Sequence, residues 1–484
     1  MSGRRFLGLL GCGLVLLVLT ASGLYAQEKD DIDLFVALAM AQGAVYLVAL
    51  WLIRRGTASS RAVILILGVA AAMRILVLLA PPYLSTDVYR YVWDGRVLAA
   101  GINPYRYIPE DPHLAPLRDR AIFPRINRKN YAPTIYPPAA EAIFFAATRI
   151  GESVWAMKFA MVLFEAIAVA LLLQLLASAN LPAARIIVYA WHPLPVWEFA
   201  GSGHIDAAII AFTALALWSR LRPQELPIRS SSPSPVVFPG LGPGIYERPL
   251  ADGRTKSGHE RDRGPMPGSA WLAGLALAAG TLVKFYPAVL FPALWRRGEW
   301  RMSAVFAGTA VLAYLPFLGV GFGVFGFLPG YLAEEGFTSG GVGFYPWSVA
   351  KAALPLGGVP DIAFLGGAAG LLAALAFYVG SRRTGPQCDV FGGALLAGAF
   401  VFLLSPHYPW YFAWLIIFAC LIPSAALVWL TLASFLLYLV PVGSQLVWDH
   451  HRFLVESALY VPFVALAAID LWRQRRPKKK AEKS

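Results

Sequence analysis

Charge is what this 484-residue chain has least of: Asp, Glu, Lys and Arg together make up 14% of it, where soluble domains carry about 25%. A chain this poor in charge lacks the polar surface to cover a soluble fold. Cysteine is scarcer still. Cys12, Cys388 and Cys420 each lie in or beside an apolar run, which leaves no extracytoplasmic pair for a disulfide and no thiolate set for a metal. Acidic residues are outnumbered, 28 against 41 basic ones, for a formal net charge of +13. That excess does not imply nucleic acid as a partner. The basic residues sit at the ends of apolar runs, at Arg4–Arg5, 54–61, 295–301, 381–383 and 473–480, as cytoplasmic helix ends do under the positive-inside rule.

What abounds is apolar: 58% of residues are hydrophobic. Several runs of roughly 17–25 apolar residues match the thickness of a bilayer core. Their length argues against a β-barrel, whose strands alternate over about ten residues. The expected fold is an all-α polytopic membrane protein in contact with the lipid bilayer.

The first helices fall at 6–25, 34–53 and 62–80, within an N-terminal unit 1–80. We read the first as retained, because its apolar part is long and lacks a clean small-x-small site; a cleaved signal peptide is the alternative. With acidic 28–33 outside and basic 54–61 inside, the segment 81–152 becomes extracytoplasmic. Helices at 153–177, 183–199 and 205–221 follow. The stretch 222–268, with "SSSPSP" and "ERDRG", reads as a disordered cytoplasmic loop. In the last unit, 269–472, the run 269–295 is basic at both flanks. It fits a hairpin with Lys284 and Tyr286 at the outer side. Helices at 302–320, 361–381, 388–405, 410–422, 425–440 and 453–472 complete about fourteen crossings, with external loops at 321–360 and 441–452. Both termini, including the basic tail 473–484, are then cytoplasmic.

Polar residues concentrate in a few places. "STDVYRYVWDGRVLAAGINPY" (85–105) spaces Asp87, Arg90 and Asp94 at i, i+3 and i+7, on one helix face, with Val88, Tyr91, Val92 and Gly95 beside it. Ser85 or Thr86 is placed to cap the start and Gly101 to end it. Two readings stand: a surface ion-pair ladder, or an acid–base face turned to a cavity. "PTIYPPAAEAIF" (133–144) rigidifies the loop that follows and aims Tyr136 at the membrane. "WHPLPVWEFAGSGHID" supplies His192, Glu198, His204 and Asp206; the His204/Asp206 pair suits a metal, a phosphate or a plain structural hydrogen bond. Lys284 and "SPHYPWY", with His407, Tyr408, Trp410 and Tyr411, add a cation, a histidine and aromatics. For Trp410 an interfacial belt is the competing role.

In order along 80–440, "STDVYRYVWDGRVLAAGINPY…PTIYPPAAEAIFF", "WHPLPVWEFAGSGHIDA", "LVKFYP" and "LSPHYPWYFAWLIIF" resemble blocks of the GT-C glycosyltransferases that use polyprenyl-phosphate sugars. The likeness is strongest to bacterial polyprenol-phosphate-mannose-dependent mannosyltransferases and more distant to the glycosylphosphatidylinositol mannosyltransferase I. The resemblance implies a helix bundle in the bacterial inner membrane with an extracytoplasmic active site. It also implies a polyprenyl-phosphate sugar as donor and a glycan, lipid-linked or protein acceptor. In the eukaryotic relative two aspartates are separated by one residue, but here Tyr89 takes the second place. That puts a metal bridged by a DxD pair in doubt; no cofactor is firmly implied, and Asp87 with Asp94 is the candidate pair if a divalent metal binds.

Such a donor is already activated, and the reaction needs a base for the acceptor hydroxyl. Asp87 takes that role, with inversion. Arg90, Arg96 and Lys284 are candidates for the departing phosphate, His204 for a hydrogen-bond donor, and Asp94 for orienting Arg90 or binding sugar hydroxyls. Trp410 or Tyr411 would stack on sugar or isoprenoid; Tyr136, Glu198, Asp206, His407 and Tyr408 complete the substrate-binding set. Two further readings are a transporter or flippase of lipid-linked glycans and a family member without catalysis.

Overall fold

The computed structural model describes residues 3–54, 59–221, 267–335, 337, 344–356, 358–382, 386–440 and 450–475. The expected loop 222–268 up to residue 266, most of the loop 441–452, the tail after 475 and the centre of 321–360 lie outside the described residues. Every regular element among the described residues is helical.

Among the described residues seven helices are long and apolar enough to cross a membrane: Gly3–Glu28 (α1), Ile32–Arg54 (α2), Ser60–Leu78 (α3), Val154–Ser178, Trp300–Glu334, Asp361–Ser381 and His451–Arg473. Four shorter apolar helices, Ala270–Thr281, Asp389–Leu404, Pro409–Leu421 and Ala425–Leu439, accompany them. The expected span 183–199 takes a different form. Pro193 and Pro195 break it, so that short turns at Ala183–Ile186 and Ile187–Ala190 lead through an extended His192 into a π-helical turn, Val196–Gly201. Lipid does not tolerate such irregular backbone, but a protein interior does, and this segment is buried.

Polar links hold that broken segment in place. Gln42 of α2 donates to Thr20 of α1 (2.9 Å) and accepts from Trp197 Nε1 (2.7 Å). Arg74 of α3 forms a buried pair with Glu165 (2.8 Å) and donates to the Ala190 carbonyl (2.9 Å). A buried pair like this adds little net stability but is costly to break.

Between α3 and Val154 the chain forms two short α-helices, Asp87–Ala99 (α4) and Pro138–Ile150 (α5), with 3-10 turns at Pro112–Leu117 and Phe123–Arg125 between them. Ser85 Oγ accepts from the Asp87 amide at the start of α4. At its end Gly101, with φ +75°, allows the Ile102 and Gly101 amides to bond the Val97 and Leu98 carbonyls, a Schellman closure. Tyr91 stacks on Phe144 of α5 with centroids 4.5 Å apart, worth about 1 kcal/mol beyond the area buried. The α4 helix is therefore enclosed on both faces: Arg90 and Asp94 are as buried as Val88 and Val92.

Two other segments lock onto this pair. The Leu282 carbonyl accepts from the Ala139 and Ala140 amides at the start of α5 (3.0 and 3.2 Å), bringing the 282–286 turn alongside. The segment 315–335 crosses the loop before α5, with the Phe327 amide bonding the Thr134 carbonyl and Asn103 Nδ2 the Phe317 carbonyl.

Candidate active site

Asp87 opens α4, and its side chain is about one-fifth exposed, unlike the groups behind it. Its Oδ1 accepts a 2.6 Å hydrogen bond from Asn127. Oδ2 faces His204 Nδ1 at 3.9 Å. Burial pushes the Asp87 carboxyl above the ordinary carboxylate range, while the charge of Lys284, the Asn127 hydrogen bond and Arg128 pull it back. A carboxylate with a raised pKa is a better proton acceptor than a solvated one.

Behind it stands His204, fully buried, its amide bonded to the Glu198 carbonyl (2.9 Å) across the π-helical turn. Such turns recur at functional sites. The imidazole stacks on Trp410 with centroids 4.0 Å apart, and Trp410 stacks on Tyr408 at 4.5 Å. His204 Nε2 looks toward Glu198 Oε2 at 3.5 Å, and the other Glu198 oxygen accepts from Tyr438 (2.7 Å). Neither ring nitrogen of His204, nor Glu198 Oε2, has a hydrogen-bond partner.

The first residue of the helix Asp206–Leu221, Asp206, takes Lys284 Nζ at 2.6 Å and Tyr286 OH at 2.8 Å. The Lys284 ammonium also lies 4.7 Å from the Tyr411 ring, and Tyr411 OH meets Tyr331 OH at 2.8 Å. His407 Nδ1 pairs with Glu335 at 2.8 Å. Next to Glu335, Glu334 accepts from Arg128 Nε (2.7 Å) and from Tyr131 OH (2.9 Å). Arg128 itself holds a left-handed φ of +51°, an uncommon backbone state that for non-glycine residues clusters at working sites.

The structure thus brings Asp87, Glu198, His204, Asp206, Lys284, Tyr408, Trp410 and Tyr411 into one chain of contacts, with His407 attached through Glu335. Several expected residues are already held by partners within the protein. Arg90 binds both Asp94 oxygens through Nε (2.9 and 3.0 Å) and donates to the Ala132 carbonyl. Arg96 is clamped by Asp119, Glu152 and the Leu117 carbonyl. Tyr136 is buried, edge-on to Tyr91 and Phe144. Trp410, 6% exposed, already has protein rings as stacking partners.

Asp87 and Asp94 do not meet at one ion. They lie seven residues apart on α4, about 10 Å along its axis, and Asp94 is taken by Arg90. No group of three His, Cys, Asp or Glu side chains suited to a metal occurs among the described residues. Tyr89, at the DxD position, accepts from Arg125 through its hydroxyl (3.0 Å).

Sequence reasoning misses Asn127, Arg128, Glu334, Glu335 and Tyr438. They stand in stretches without a motif, and only their neighbours in space give them meaning.

The sequence model of a family described as alpha-(1->6)-mannopyranosyltransferase, N-terminal domain, matches residues 8–296, more than half of the chain. No curated protein and no solved structure matches.

Proposed function

The chain belongs to the alpha-(1->6)-mannopyranosyltransferase family, and on that footing we propose that it transfers mannose from a polyprenyl-phosphate donor at the extracytoplasmic face of a bacterial inner membrane. The acceptor is a hydroxyl of a glycan, lipid-linked or protein molecule. Asp87 takes the hydroxyl proton as the new glycosidic bond forms, and the polyprenyl phosphate leaves with the electrons of the bond it loses. One displacement with one carboxylate inverts the anomeric carbon, unlike the two-step route of retaining glycosidases. An α-linked product then requires a β-linked donor.

The observation that carries this reading is Asp87: a partly exposed carboxylate beside buried His204, oriented by Asn127, with the charges of Lys284 and Arg128 acting on it. Those two cations are the ones we assign to the departing phosphate, Lys284 as a point charge and Arg128 through the guanidinium nitrogens that Glu334 does not bind. Asp206 and Glu334 would hold them in position.

The test is incubation of the purified protein with polyprenyl-phosphate mannose and varied acceptors. Release of polyprenyl phosphate together with a new glycosidic bond is expected. Asp87→Asn should lower turnover by about 10²–10⁴-fold with donor binding retained. Near-normal turnover in that variant removes Asp87 as the base, and movement of intact lipid across vesicles without bond formation supports a transporter instead.

A further inference from the structure

Three buried polar atoms in this protein face one another without hydrogen bonds: His204 Nδ1, His204 Nε2 and Glu198 Oε2. Native interiors leave few such atoms, and each calls for a reason. Here they lie in a line that begins at Asp87. Oδ2 of Asp87 is 3.9 Å from His204 Nδ1, and His204 Nε2 is 3.5 Å from Glu198 Oε2. Both gaps lie just beyond hydrogen-bond length, as catalytic contacts often do before substrate binds. The imidazole is restrained by its stack on Trp410 and by its own amide bond to the Glu198 carbonyl. Its plane and distance from the two carboxyl groups are thereby set.

We infer that His204 and Glu198 form a proton relay behind Asp87, an inference that rests on Asp87 being the base proposed above. When the acceptor O–H bond breaks, its electron pair enters the new C–O bond and its proton passes to Asp87. Asp87 gives that proton to Nδ1 of a neutral His204, whose Nε2 proton moves to Oε2 of Glu198 in its ionised form, a strong proton acceptor because burial raises the pKa of this carboxyl to about 8. One proton has then travelled from acceptor to Glu198, with no oxidant or reductant. Asp87 is a carboxylate again while the site is still occupied. After product leaves, the proton returns along the same line and exits at the exposed edge of Asp87.

The surroundings suit this task. Tyr438 donates to the other oxygen of Glu198 and fixes which one faces the ring. The charges near His204 are Asp87 on α4, Glu198 on the π-helical turn, Lys284 from the 282–286 turn and, across Gly203, the stem of Lys158. Lys158 turns its ammonium away to the Val77 and Ala80 carbonyls. Lys284 is paired with Asp206. His204 acts through Asp87 and does not touch the sugar.

The test uses the full chain and the donor assay described above. Glu198→Gln preserves shape and the Tyr438 contact; His204→Phe preserves the stack on Trp410. Each should cut kcat by about tenfold or more and leave the donor KM unchanged, with the acid limb of the pH profile displaced from that of the wild type. His204→Ala should regain rate with added imidazole but not with pyrrole, which has the ring and lacks a basic nitrogen. Equal rescue by both rings means that the histidine only fills space, and overturns the relay. Full activity of Glu198→Gln and His204→Phe, with Asp87→Asn inactive, also overturns it while leaving Asp87 as the base. An active Asp87→Asn variant overturns both.

Discussion

Asn127 donates a 2.6 Å hydrogen bond to Asp87 from 40 residues further along the chain. The amide satisfies one carboxylate oxygen and leaves the other for chemistry, so it orients the base without competing for the proton. Asn127→Leu removes that restraint. A fall in kcat of about tenfold is expected, since misplacement by an ångström costs up to about 10²-fold. Steady-state kinetics should show the loss in kcat and little change in acceptor KM.

The pH profile follows from the charges around Asp87. Burial raises its pKa, so activity should fall with decreasing pH while the medium is still above the ordinary carboxylate range. Lys284 lowers the Asp87 pKa and Asp206 raises it. Lys284→Gln should therefore move the acid limb to higher pH, and Asp206→Asn should move it lower. Log kcat/KM against pH for the three proteins checks both signs.

Arg90 offers a contrast between a binding role and a structural one. Its guanidinium is buried against Asp94, and removing one partner of such a pair costs about 3–5 kcal/mol. Arg90→Met should thus sharply lower thermal stability. The double change Arg90→Met with Asp94→Leu should recover much of it. Donor KM in the double variant should stay near the wild-type value; a large rise would return Arg90 to the phosphate.

The seat of α4 on α5 is equally specific. A β-carbon on Gly95 would clash with the Phe144 carbonyl oxygen and sit 2.8 Å from the Thr148 methyl. Backbone cannot yield as a flexible side chain does, so Gly95→Ala must push the helices apart. Overpacking of this kind costs about 1–3 kcal/mol. A lower melting temperature is expected together with a lower kcat, because Asp87 opens the displaced helix.

Much of this was legible in one dimension. Apolar runs announce α1, α2 and α3, since a bilayer sets a length that composition must fill. Ser85 and Gly101 mark the ends of α4 because capping is local chemistry. Proline at 193 and 195 signals trouble for the span 183–199, yet the π-helical turn that aims Glu198 at His204 depends on packing against α3 and the helix Val154–Ser178. The spacing of Arg90 and Asp94 likewise gives their shared face, but not that α5 and the 132–136 loop would bury it.

The sequence by itself determined that this chain is an all-α membrane protein, where α1, α2 and α3 lie and that a short helix begins at Ser85–Asp87, because each depends on residues a few positions apart. Tertiary structure alone decided which charges are available. Arg96 is held by Asp119 and Glu152, 23 and 56 residues away, whereas Lys284, paired with Asp206 from 78 residues away, also acts on Asp87. Whether a buried charge serves structure or chemistry turns on its nearest opposite charge, and for Arg74 and Lys284 that partner comes from a distant helix.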